Sequence, residues 1–424
     1  HKQHKQAPGA HISDLFPELT NEKSKQRDVL KSIITEIYGL AAKINKGFVL
    51  SQLQQFIRLQ RFKSATIRAS ELMQAKQEMS IDEVETIYRD VLRAQVTAFD
   101  GGIKLIDYSK VLEHRQQRSS EFRTGISELD KRHVVPYRGA VLLLLGGAGL
   151  GKTWGLIHIA KQAILQHKRV LHVSLEMAAE QIAERYYQAL FSVPKHKAKS
   201  ELSRLVKKQG KVVDIVGEEV AYDFSLDTPY LAEELQSRLA WGVAKYENVR
   251  IKQFPPRVLS MQMLEGFLDN LELVEGFVPD MLVLDYIGIC KTDPNNHRIT
   301  LGRAFEDFRG LCVERNIAGV TANQLSRVGS SVEFAQGKHV AEDFSLIATA
   351  DQVLIYIQTP DEAKLSLARI YVEKVRGEAG KFSVLMTQAY NVGQFVLSSA
   401  MLGANFSTWR EFTHPADEQT KEDA

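Results

Sequence analysis

Gly146-Gly147-Ala148-Gly149-Leu150-Gly151-Lys152-Thr153 fits the pattern Gly-x-x-x-x-Gly-Lys-Ser/Thr at every fixed position. It follows the apolar run Ala140–Leu145 and opens a helical run, Trp154–Gln166. This strand–loop–helix setting is what makes the motif specific. Glycines let backbone N–H groups turn inward around an anion, and the helix start adds the positive end of its dipole. Such a loop cradles the phosphates of a nucleotide such as ATP. Lys152 is then expected to reach the β- and γ-phosphates and Thr153 to ligate Mg2+, with Trp154 continuing the binding segment into the helix.

Hydrolysis needs more than a cradle. Asp285 ends the apolar run Met281-Leu282-Val283-Leu284, and a carboxylate at a strand's carboxyl end can hold a Mg2+ shell beside the loop. Many buried strands end in Asp, so the pairing with the phosphate loop carries this reading. Glu176, in Val173-Ser174-Leu175-Glu176-Met177, ends another strand and could polarise an attacking water as general base. Spacing alone leaves a second reading equally open, in which Glu176 is an N-cap or first-turn acid of the next helix.

These residues need a sheet to align them. From about Phe122, short β-rich runs alternate with amphipathic stretches, which predicts an α/β domain around a mostly parallel sheet. The expected strands are Ala140–Leu145, Val170–Val173, Met281–Leu284, Ile317–Thr321, Gln352–Ile357, Ala368–Val375, Lys381–Thr387 and Phe395–Leu397, the last ones forming an antiparallel edge. Upstream, Val29, Ile33, Ile34, Ile37, Leu40 and Ile44 recur at helical steps, and Ser80 with Glu83 reads as a capping box. The expected layout is a flexible arm (1–22), a small all-helical domain (23–100), a linker after the break at Gly101-Gly102 (101–121), the ATPase domain (122–410) and a disordered acidic tail (411–424).

Composition sets outer bounds. Of 424 residues, 44% are hydrophobic and 25% charged, so a sizeable core is possible. The net charge of +2 makes any nucleic-acid site a local patch. Two cysteines, Cys290 and Cys312, exclude a four-cysteine zinc site or a disulfide framework and suit a reducing cytoplasm. No apolar run approaches the ~20 residues of a membrane span, and no signal peptide is visible. The chain starts at His1 and not at Met, which leaves room for residues upstream.

Ser174-Leu175-Glu176-Met177, Asp285-Tyr286 and Asn323-Gln324-Leu325-Ser326-Arg327 resemble motifs of the DnaB-type replicative helicases. Lys252-Gln253-Phe254-Pro255, Phe277-Val278-Pro279, Asp285–Lys291 and Ala348-Thr349-Ala350-Asp351 look like the branch found in T-even-type tailed phages. The resemblance covers roughly residues 122–398 and implies a RecA-like ATPase core, ATP with Mg2+, and a homohexamer with sites between subunits. It implies that Glu176 is the catalytic base and that Gln324 senses the γ-phosphate, where the bland reading is a turn-stabilising amide. Lys374 and Arg376 match the family's Lys-x-Arg pair, which completes the neighbouring subunit's site; without the family they read as a solvated strand end.

The resemblance also places a DNA-contacting loop at Ser326 to about Ala348. Ala341 and Phe344 stand where bacterial relatives have an Arg and a Gly, so Arg327, Lys338 and His339 are the candidate phosphate contacts. A second basic stretch, Lys195 to Lys211, reads as a solvated helix face. The implied function is ATP-driven translocation on single-stranded DNA with unwinding at a replication fork. The alternative is a RecA- or KaiC-like DNA-binding ATPase that does not unwind. Implied partners are a separate primase and a helicase loader, with no membrane, in the cytoplasm of a cell or of a phage's host.

Overall fold

The computed structural model describes residues 46–75 and, apart from 198, 209–210, 229–232, 239–245, 326–343 and 378–379, residues 122–402. Positions 32, 84, 87–88, 106–109 and 112–113 are also described. The chain divides into two units, His1–Asp107 and Tyr108–Ala424. Within the first, helix α1 (Lys46–Ala75) buries Ala65 and Ala69, and the rings of Phe62 and Tyr88 lie 6.3 Å apart. The expected arm and tail, most of the expected linker, and Arg327, Lys338 and His339 lie outside the described residues.

The second unit is built on a nine-stranded sheet. In chain order it contains β1 (Ala140–Gly146), α2 (Lys152–Leu165), β2 (Val170–Ser174), α3 (Ala179–Phe191), β3 (Lys199–Lys208), β4 (Lys211–Ala221) and β5 (Val249–Gln253). There follow α4 (Met261–Glu275), β6 (Met281–Asp285), α5 (His297–Glu314), β7 (Ala318–Gln324), α6 (Phe344–Thr349), β8 (Gln352–Ile357), β9 (Leu367–Val375), β10 (Phe382–Ala389) and β11 (Gln394–Leu402). The strand order is β11-β10-β9-β8-β1-β7-β6-β2-β5. Strands β8, β1, β7, β6, β2 and β5 run parallel, and β9, β10 and β11 continue the sheet antiparallel.

Successive side chains of a strand face opposite sides, so a strand covered on both faces must be apolar throughout. That is why Val141–Leu145 is an unbroken run. Leu142 and Leu144 face α2, among Leu156, Ile157, Ala160 and Ile164. Val141, Leu143 and Leu145 face α4 and α5, among Leu264, Leu268, Phe305 and Phe308. Each such Leu contributes about 1.5–3 kcal/mol by leaving water. The expected strands are all found, most of them longer by a residue or more.

Three strands were not foreseen. β5 is a half-exposed edge strand with too few apolar residues to announce itself. β3 and β4 form an antiparallel hairpin, which corrects the helix-face reading of Lys199–Lys208. Leu205, Val212 and Ile215 turn one face of the hairpin onto Leu367, Leu385 and Ala400 of the sheet, while Lys208 and Arg204 stay in solvent. Lys207 reaches Glu128 at 3.2 Å, and Ser399 bonds the same carboxylate. The cue was the β-branched content of Val206, Val212, Val213, Ile215 and Val216, masked by the lysines between them.

Where β8 turns back into β9, the buried Arg369 donates to Glu362 at 2.6 and 3.3 Å, and Glu362 also accepts from the Thr359 backbone N–H at 2.7 Å. Both side chains are essentially out of solvent. Breaking a buried pair strands its survivor, so Arg369→Met is expected to cost about 3–5 kcal/mol in urea unfolding of this unit. A loss under about 1 kcal/mol would show that Glu362 is satisfied without it.

Candidate functional site

The phosphate loop leaves β1 at Gly146 and enters α2 at Lys152. Gly149 and Gly151 hold φ of +73° and +100°, a region closed to most side chains. At Gly151 a Cβ would also fall 2.6 Å from the Tyr390 hydroxyl, which hydrogen-bonds the Leu150 carbonyl at 3.4 Å. Tyr390 thus braces the loop from β10's end of the sheet. The buried Lys152 ammonium donates to the carbonyls of Gly146 (3.3 Å) and Gly147 (2.9 Å). Burial lowers its pKa, against the opposing pull of the Glu176 and Asp285 charges.

Asp285 sits where β6 ends, in register with Ser174 at the end of β2. Burial pushes its carboxyl up to about 6; the hydrogen bond with Thr153 lowers it, Glu176 raises it, and Arg185 and Lys152 lower it. Its Oδ2 is buried without a hydrogen-bond partner. The Thr153 hydroxyl and this orphaned oxygen are hard donors aimed at one place. Among the described residues no group of three or more His, Cys, Asp or Glu could hold a metal ion alone.

Glu176 occupies the bend after β2 and is exposed. The Ser174 hydroxyl donates to the Met177 carbonyl (2.8 Å) and accepts from its N–H (3.0 Å), fixing that bend. Helix α3 begins only at Ala179, with Ala178 at its cap and Glu180 as its first-turn acid. The Gln181 side chain accepts from the Ala178 N–H at 3.3 Å, which leaves capping to Gln181 and none of it to Glu176. The helix-start reading therefore fails, and Glu176 stands close enough to Lys152, Asp285 and Arg185 for its charge to be felt by each.

Gln324 ends β7 beside Gly146 and donates to the Tyr286 hydroxyl at 3.1 Å. The peptide between Asp285 and Tyr286 is cis. The carboxyl ends of β1, β2, β6 and β7 thus gather Lys152, Thr153, Glu176, Asp285 and Gln324. Lys374 and Arg376 are not among them. Val375 pairs with Gln352, and Gln352 pairs with Leu142, at the amino end of β1. Val141 and Gly146 lie about 17 Å apart along an extended strand, beyond an arginine's reach.

Residues 121–239 match the family model of the DnaB-like helicase C-terminal domain. This stretch, just over a quarter of the chain, is similar to the C-terminal domain of DnaB-like helicases. The chain is similar to the DnaB-like replicative helicase of Enterobacteria phage T4, 25% identical over 230 residues, covering 53% of this chain and 43% of that protein. A probable plasmid replicative DNA helicase of Chlamydia trachomatis is 26% identical over 216 residues, covering 51% and 42%. The chain therefore spans less than half the length of these relatives. Its fold matches a solved ATPase domain with a TM-score of 0.52 at 15% identity, over 70% of this chain and 99% of that one. It matches a DnaB-like replicative helicase, solved in a study of its interactions with primase, with a TM-score of 0.50 at 16% identity, over 87% and 83%. The family stretch contains the phosphate loop and Glu176, while Asp285, Gln324, Lys374 and Arg376 lie beyond it.

Beside the expected Trp154, the structure brings two residues that the sequence did not single out, Arg185 and Tyr390. Trp154, at the start of α2, stacks on Tyr390 (6.1 Å, 25°), and the Arg185 guanidinium lies 5.1 Å from its ring centre. With Met177 and Gln181 they line a cleft of about 430 Å³ beside the loop. Burial lowers the pKa of Arg185, while Asp285 and Glu176 raise it. Neither residue belongs to a short motif: Arg185 lies mid-helix, and Tyr390 comes from a distant strand end.

The bracing contact is testable. Gly149→Ala, with open space around it, is expected to cost about 1–2 kcal/mol from backbone strain alone. Gly151→Ala should cost more in the same urea titration, because Cβ meets the Tyr390 hydroxyl, and Tyr390→Phe should relieve part of the excess. Equal losses at both glycines would remove Tyr390 as the brace.

Proposed function

We propose that this protein is an ATP-dependent replicative DNA helicase that moves along single-stranded DNA as a hexameric ring. The observation that carries the reading is the split of the hydrolytic groups between two ends of one sheet. Lys152, Thr153, Asp285, Glu176 and Gln324 share the loop end, whereas Lys374 and Arg376 stand at the other. A single chain then binds nucleotide through Lys152 but keeps Lys374 and Arg376 away from its own γ-phosphate. A neighbour in a ring supplies them, as an arginine finger does in trans.

In this mechanism the loop's N–H groups and Lys152 hold the β- and γ-phosphates. Thr153 and Asp285 would hold Mg2+, which would supply positive charge to those phosphates. Glu176 takes the proton of the attacking water, and Gln324, tied to Tyr286, reports whether the γ-phosphate is present. Trp154, Tyr390 and Arg185 offer a flat, cationic cleft for the nucleoside. Arg327, Lys338 and His339 are proposed phosphate-backbone contacts for DNA, with a separate primase and a loader as partners. The described residues contain no helix long and apolar enough to cross a membrane.

Two variants test the reading on forked duplex DNA. Lys152→Ala should abolish both hydrolysis and unwinding. Glu176→Gln should keep nucleotide binding while turnover falls ~10²–10⁴-fold, the scale of general base catalysis. Turnover within a few-fold of wild type would remove Glu176 as base. Full hydrolysis and strand exchange without unwinding by the unmodified protein would favour the RecA-like alternative.

A further inference from the structure

Asp351 immediately precedes β8, and its side chain is 2% exposed. Its carboxylate accepts from the Val141 N–H (3.1 Å), so it is fixed to the strand that ends in the phosphate loop. Arg309 of α5 binds it with both forks, at 3.0 and 3.1 Å. Arg376 reaches the same carboxylate at 3.2 Å, and its backbone N–H donates to the Asp351 carbonyl at 2.8 Å. Beside them the Lys374 ammonium donates to the carbonyls of Ile347 (2.9 Å) and Ala348 (2.6 Å), in the last turn of α6.

One carboxylate here faces two guanidiniums, and they are held unequally. Arg309 makes the two-pronged contact, which satisfies a buried carboxylate by itself. Arg376 meets the carboxylate at 3.2 Å and is 52% exposed, against 29% for Arg309. A structural ion pair needs only one cation. A second, half-exposed one can leave without stranding a buried charge, because Arg309 stays behind. Counting Asp351, Arg309, Arg376 and Lys374, the cluster carries a surplus of positive charge, suited to an anion arriving from outside.

We propose that Asp351 and Arg309 are positioning residues for Arg376: Asp351 aims the guanidinium outward from the sheet edge, and Arg309 keeps Asp351 compensated while Arg376 engages a nucleotide phosphate on a neighbouring chain. The proposal rests on the reading that Arg376 acts in trans. Arg309 touches no nucleotide and serves hydrolysis only through the chain that lends its Arg376.

The test uses full-length chains co-assembled in pairs, each variant with its own affinity tag, and purified through both tags so that every assembly is mixed. Lys152→Ala with Arg376→Ala should recover hydrolysis that neither shows alone, because some interfaces combine an intact loop with an intact Arg376. Arg309→Met is then added to one chain at a time. Placed in the Lys152→Ala chain, which supplies Arg376, it should cut the recovered rate ~10–10²-fold, the usual cost of misplacing a group by about 1 Å. Placed in the Arg376→Ala chain, with Asp351→Asn added to that chain in both mixtures compared so that no buried carboxylate is left without a cation, it should leave the recovered rate within about twofold. Arg309→Lys in the first position should restore part of the loss. An equal loss in both positions would make Arg309 merely structural and overturn the proposal, as would no loss in either. Absence of recovery in the parent mixture would instead overturn the trans reading, and the proposal with it.

Discussion

Strand β1 is buried on both faces, and that burial sets the level of the whole candidate site. Its leucines interlock with α2 on one side and with α4 and α5 on the other, so β1 cannot slide without exposing both cores. In a parallel sheet the neighbours take their register from it. Gly146 therefore aligns with Gln324 and Tyr356, two residues beyond the level at which β6 and β2 end in Asp285 and Ser174. The loop that leaves β1 gains a fixed launch point, and Lys152 a fixed distance from Asp285 and Glu176.

The same polarity divides the chemistry. A parallel strand has one carboxyl end, and helices and loops that bind phosphate must start there. Strand β9 runs the other way, so its last residues emerge at the amino edge of the sheet. Lys374 and Arg376 are placed by that reversal, and no side-chain motion returns them to the loop of their own chain. The proposal that a second chain completes the site rests on this strand direction.

The candidate site residues could be singled out because local sequence encodes them. A glycine-rich turn between a buried strand and a helix needs no distant partner to be recognised, and Asp285 is marked by the apolar run it ends. Glu176 was ambiguous because the deciding fact, the start of α3 three residues later, depends on Ser174 locking the bend. Arg185 and Tyr390 were illegible because their role comes from meeting Trp154 in space. The β3–β4 hairpin was misread because lysines on its wet face hid the β-branched residues beneath. Asp351 was visible only as the last residue of a motif, since its three donors come from β1, α5 and the residue after β9.

The claim that the site is divided between chains is tested most directly by electron cryo-microscopy of the protein with a non-hydrolysed ATP analogue, Mg2+ and a single-stranded oligonucleotide. The account requires a closed ring with the analogue between chains, its phosphates on Lys152 of one chain and Arg376 of the next, turned away from Asp351. An analogue enclosed wholly within one chain, with Arg376 of every chain still seated on its own Asp351, would contradict it.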